Sequence, residues 1–255
     1  MFNLPKPKLG DVAAFTITSP DLDISVAYYT RLGFSELFRT DFPFPLAMIT
    51  DGAIQIMLLK KKDPYIGFTY YVKELEKVVL ELEAIGIEFI QKPKPSDVIK
   101  RFLMQSPDGL NIGLVTLVDG FTQPLGTTML TMPPQDYSNP DKYVNKICGL
   151  FGEFAHPVED LDKSKSFWEK LGFVALSKKS SPYQWAILSD GMAIIGLHQT
   201  NSFMQPTITF FASDMKEKID RLKSHGLDNF SEKGSGNIVL TTPEQQKINL
   251  FRLGM

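Results

Sequence analysis

Few side chains in this sequence can do chemistry at neutral pH. Its 255 residues include three histidines, His156, His198 and His225, and one cysteine, Cys148. An imidazole is the usual proton shuttle and metal ligand, and a thiol becomes a nucleophile when its pKa is lowered. Cys148 lies in KICGLFG with no basic neighbour to lower its pKa, so it reads as a small buried apolar side chain. A lone cysteine also excludes an internal disulfide and points to a reducing, cytoplasmic setting. His225 precedes Gly226 at a helix C-terminus, where a solvated imidazole suits the helix dipole. His156 follows Glu153 by three residues in GEFAHPV, so strand alternation places the two on opposite faces. His198 closes the run AIIGLH and is the histidine a site would use. A carboxylate such as Glu153 and an imidazole such as His198 in one pocket could do general acid–base work.

These residues must be held by regular elements, and the sequence repeats its elements. YYTRLGF (residues 28–34) returns as FWEKLGF (residues 167–173). Before the first copy, Leu22, Val26, Tyr29 and Leu32 keep helical spacing, and Asp21 and Asp23 suit the positive N-terminal end. Gly33 then fits the left-handed residue just past the helix, with Phe34 folding back as the accompanying hydrophobic contact. DLDKSKSFWEKLGF repeats each feature, with Leu161, Trp168, Leu171, Gly172 and Phe173. Weaker copies end at Gly86 and Gly226. Each helix follows a strand-like run (VAAFTIT, GFTYYV, GEFAHPV, TITFFA), and each unit closes on another: IQIMLL, LNIGLV, AIIGLH and KINLF. The chain is therefore predicted to contain a strand–helix–strands unit four times, the mark of duplication.

Residues 119–146 break the pattern. They are rich in Pro, Thr, Asp and Asn and are predicted to form a linker, with Pro133 and Pro134 extended. The divisions are 1–118, a first domain; 119–146, the linker; and 147–255, a second domain. A net charge of −2 gives no electrostatic footprint for nucleic acid or an anionic membrane. No apolar run is long enough to span a membrane, and the opening MFNLPKPK lacks a signal-peptide core. The expected partners are a small-molecule ligand but no nucleic acid and no membrane, with the chain a monomer or homodimer.

The order strand, DLxxS, aromatic pair, LGF, then a second strand–helix unit and a PDG–xIxL ending resembles the vicinal oxygen chelate superfamily. That group includes glyoxalase, bleomycin-resistance proteins and extradiol dioxygenases. The resemblance implies an α+β fold of four tandem βαβββ modules forming two cup-shaped, glyoxalase-like domains. It also implies a divalent metal in the cup, where a Lewis acid chelates two substrate oxygens. The positions that ligate in the family fall here on Ala14, Met57, Gly67 and Gly113 in the first half, and on Glu153, Gly196, Thr207 and Asn249 in the second. Only Glu153 is a strong ligand. The expectation is therefore no cofactor and no metal-binding residues, with a place for a divalent metal only in the second domain.

Counting by strand alternation from those positions gives the cup faces. Gln55, Met57 and Tyr71 line the first, and Thr207, Thr209, Phe211 and Asn249 line the second beside Glu153 and His198. Trp185, with Phe42 and Phe44, would form a lid or stacking wall. Apolar surface with a few polar groups suits a small-molecule pocket. The first expected function is a glyoxalase/bleomycin-resistance-like protein that binds a small, partly aromatic molecule without the family's metal. The alternative is a lyase or dioxygenase-like enzyme with a divergent second-domain site at Glu153, His198 and Asn249. Contrast between the halves centres either one on the second cup.

Overall fold

In a computed structural model, residues 3–136, 139, 142 and 145–253 are described. Residues 137, 138, 140, 141, 143 and 144 of the expected linker, and the outermost residues of both expected domains, lie outside them. The first module is β1 (Val12–Ser19), α1 (Leu22–Arg31), β2 (Ser35–Thr40), β3 (Leu46–Thr50) and β4 (Gln55–Lys60). The second is β5 (Ile66–Val72), α2 (Leu75–Ala84), β6 (Arg101–Gln105) and β7 (Asn111–Thr116). The third is β8 (Leu150–Pro157), α3 (Leu161–Lys170), β9 (Val174–Lys179), β10 (Trp185–Ser189) and β11 (Ile194–His198). The fourth is β12 (Thr207–Ala212), α4 (Met215–Ser224), β13 (Phe230–Glu232), β14 (Ile238–Thr241) and β15 (Lys247–Arg252).

Each half is one mixed sheet. The first runs β2-β3-β4-β1-β5-β7-β6 and the second β13-β14-β15-β12-β8-β11-β10-β9. The modules join through antiparallel central pairs, β1 with β5 and β8 with β12, and each central strand also has a parallel neighbour from its own module. The expected α+β architecture of two duplicated cups is present, with one difference. The second module has two strands after its helix rather than three. Between α2 and β6 only Gln91 makes a bridge, to Leu103. This stretch reads QKPKPSDVIK, and Pro93 and Pro95 cannot donate to a ladder.

The helix ends explain the repeated LGF. Asp21 caps α1 by accepting from the amides of Asp23 and Ile24, and Asp160 and Asp214 cap α3 and α4. At the other end of α1, Gly33 donates to Thr30 O and Phe34 to Tyr29 O, both at 3.0 Å. This is a Schellman ending, with φ of +88° at Gly33 and the Phe34 ring edge-on to Tyr29. Gly172 and Phe173 repeat it against Glu169 and Trp168. A second constraint acts on both glycines. A Cβ on Gly33 would lie 2.5 Å from Asn145 Oδ1, and one on Gly172 would lie 2.8 Å from Lys8 Cδ. The segment leading into each half thus lies across the other half's helix end.

One hydrophobic core runs through both halves. Its centre is aromatic: Phe15 of β1 stacks on Phe154 of β8 with centroids 4.1 Å apart, and Phe68 meets Phe154 and Trp168 edge-on. Residues 119–132 pack against the sheets rather than standing clear of them. Gln123 accepts from the Ala13 amide, Met129 donates to Phe151 O, and Phe121 packs on Tyr71. Pro134 to Asp136 form a 3-10 turn, not the extended run predicted there.

Candidate functional site

The faces turned away from the common core form the two cups, and they differ. In the second, strand pairing puts Asn249, Thr209, Glu153, Gly196 and Trp185 on one surface. His198 Nε2 lies 3.1 Å from Glu153 Oε1, and its Nδ1 lies 3.2 Å from the Tyr183 hydroxyl. Trp185 stacks on the imidazole at 6.2 Å with an interplanar angle of 20°, and Phe203 meets it edge-on. Gly196 is what lets this pair form, because a Cβ there would overlap the Glu153 carboxylate and come within 2.7 Å of His198 Nε2. Asn249 Nδ2 donates to Thr207 Oγ1 at 3.0 Å and reaches Thr209 Oγ1 at 3.4 Å. Most of the polar groups singled out in this cup thus satisfy one another, although the buried Glu153 Oε2 has no partner. Phe211 lies nearby with its ring against Gly152.

The other candidate groups stand apart. His156 is buried on the opposite face from Glu153, and burial pushes its pKa down to about 4. Burial pushes the Cys148 thiol pKa up, away from nucleophilic range. His225 caps α4, as its position before Gly226 implied.

The first cup holds a cavity of about 600 Å³. Small-molecule pockets run roughly 300–1,000 Å³. Its floor is Met57, Leu59, Tyr71 and the Thr16–Thr69 hydroxyl pair, whose oxygens are 2.7 Å apart. Phe38, Leu46, Ile99 and Phe121 form the walls, and Phe42 and Phe44 lie over the mouth. The Tyr71 hydroxyl donates to Met57 Sδ at 3.1 Å, and burial raises its pKa, so it stays protonated. Of the first-half residues expected at a site, Met57 and Tyr71 line this cavity. Gln55 instead faces a crevice between the halves beside Gln123, where its Nε2 has no partner.

One matched pair accounts for the contrast. Leu46 faces Leu59 across β3 and β4, and Trp185 faces His198 across β10 and β11. Two aliphatic side chains line the open first cup at this position, whereas the second has an indole stacked on an imidazole that also meets the Tyr183 hydroxyl. Phe121 and Ile99 were missed by the sequence reading. Both come from irregular segments, where no periodicity assigns a side chain to a face.

No family model matches the chain. No curated protein matches it either. Solved structures do. The 2,3-dioxygenase LapB from Pseudomonas sp. KL28 superposes with a TM-score of 0.62 at 14% identity, covering 97% of this chain and 94% of that one. Homoprotocatechuate 2,3-dioxygenase from Arthrobacter globiformis gives 0.60 at 12% identity, over 98% and 82%. An extradiol ring-cleaving dioxygenase from B. fuscum gives 0.60 at 14% identity, over 98% and 73%. The fold is that of the extradiol dioxygenases. The superfamily resemblance read from the sequence includes that group.

This match corrects one expectation. Absence of a cofactor was expected, with a metal admitted only in the second domain. The chain matches dioxygenases over nearly its whole length, and the resemblance associates their superfamily with a divalent metal. The expectation of no cofactor is withdrawn. The residues at hand nevertheless do not fit a metal of that kind. Among the described residues no three His, Cys, Asp or Glu side chains converge. Glu153 and His198 are within hydrogen-bond reach of each other, and the amide of Asn249 is bonded to threonines.

Proposed function

We propose that this chain binds a small, largely apolar and partly aromatic molecule in its first cup. The observation that carries the reading is the Leu46–Leu59 pair where the second cup has Trp185 stacked on His198. That exchange leaves a cavity of about 600 Å³ walled by rings that can stack on an aromatic guest. The fold supports the reading, since its structural relatives include ring-cleaving dioxygenases. The neutral fluorophore N-phenyl-1-naphthylamine serves as a test ligand. It is expected to bind saturably at one site, to lose binding in Leu46→Trp, and to be indifferent to His198→Leu. Loss with His198→Leu and none with Leu46→Trp would overturn the proposal.

A second reading rests on the chain Tyr183–His198–Glu153, in which the buried Glu153 Oε2 lacks a partner. There the protein would be a lyase- or dioxygenase-like enzyme whose imidazole moves a proton to or from a substrate. It requires Trp185 and Tyr183 to swing aside. A Trp185→Ala variant that newly binds ligands in the second cup would favour it.

A further inference from the structure

The first cup is apolar at its floor and charged at its mouth. Lys60 ends β4 at the rim and Lys61 follows it, Arg101 opens β6 there, and Asp97 is the acid among them. Among the described residues, none of the three cations makes an ion pair. Arg101 donates to Gln91 Oε1 at 2.9 Å and lies over the Tyr65 ring at 6.0 Å, which holds its guanidinium against the cavity wall. The second cup provides a contrast within the same molecule. Leu59, Lys60 and Lys61 correspond to His198, Gln199 and Thr200, so the lysines accompany the first cup and have no counterpart in the second.

A guest that fills the cavity puts its apolar body on Met57, Leu59 and Tyr71. Its polar end is then left among three cations and one carboxylate. We propose that the ligand is an anionic amphiphile, an aromatic or acyl body with one carboxylate, bound apolar end inward with the carboxylate at the mouth. This rests on the first cup being the binding site and specifies the chemistry that site selects. Net charge would not have suggested it, since the chain as a whole carries −2.

Calorimetric titration of the full chain with 2-naphthoate, 2-naphthylmethanol and 2-naphthylmethylammonium separates the two claims. The three probes share a ring system and differ in charge. The anion is expected to bind about tenfold tighter than the alcohol, and the cation weakest, with the spread shrinking as salt rises. Lys61→Glu with Arg101→Glu should reverse the order of the charged probes and leave the alcohol nearly unchanged. Should that variant melt early, Lys61→Gln with Arg101→Gln should still erase the preference. Equal affinities, or a preference for the cation, with all binding lost in Leu46→Trp, would overturn the charge proposal and leave the cup standing. No binding by any probe, or binding untouched by Leu46→Trp, would overturn both.

Discussion

The LGF glycines carry two separable costs, and one comparison measures both. Gly33, at φ +88°, and Gly86, at φ +79°, end equivalent helices in nearly the same conformation. A Cβ on Gly86 meets nothing within 4 Å, whereas one on Gly33 strikes Asn145 Oδ1 at 2.5 Å. Gly86→Ala therefore incurs the left-handed backbone penalty alone, about 1–2 kcal/mol. Gly33→Ala adds displacement of Asn145, whose side chain donates to Leu32 O and accepts from the amides of Ile147 and Cys148 at 2.8–3.1 Å. At about 1 kcal/mol net per hydrogen bond, losing one to three of these brings the total to about 2–5 kcal/mol. Urea denaturation of both variants measures the difference. In a double-mutant cycle, Asn145→Ala should relieve part of the Gly33→Ala penalty but none of the Gly86→Ala penalty. Equal losses at Gly33 and Gly86, with no coupling to Asn145, would refute the idea that the lead-in segment clamps the helix end.

Two further outcomes follow from buried polar groups. Burial holds the His156 pKa at about 4, below the ordinary value near 6.5. The unfolded chain therefore binds the proton more readily, and the stability from a neutral His156 is complete above about pH 6.5 and lost as pH falls towards 4. The loss is about 3 kcal/mol, so His156→Leu should flatten this part of the stability–pH curve, and an unchanged curve would contradict it. Tyr70 donates to Asp190 Oδ2 at 2.8 Å across the two halves, and both residues are fully buried. Tyr70→Phe leaves that oxygen dry and should cost about 1–3 kcal/mol in chemical denaturation; a silent change would mean the contact contributes nothing.

Much of the fold is legible in the sequence because its signals are local. An aspartate cap, a 3.6-residue stripe and a glycine with positive φ act within a dozen residues, and LGF writes them out twice. The missing strand of the second module has a local signal too, the prolines of KPKP, which cannot donate to a ladder. The site was less readable because it depends on pairs across strands. Glu153 and His198 were placed on one face by alternation, but that they bond to each other depends on Gly196, which gives the carboxylate room. The openness of the first cup turns on Leu46 facing Leu59 where Trp185 faces His198, a register fixed only when β3 pairs with β4. Phe121 reaches the cavity from a segment with no period at all.

The central claim is that the first cup holds the ligand, and methyl NMR tests it most directly. Met57 and Ile99 line the first cavity, and Ile187 lies opposite Gly196 in the second cup. With methyl groups of methionine and isoleucine labelled, titration with 2-naphthoate should shift Met57 and Ile99 and leave Ile187 still. Shifts at Ile187 with Met57 and Ile99 unmoved would contradict the account.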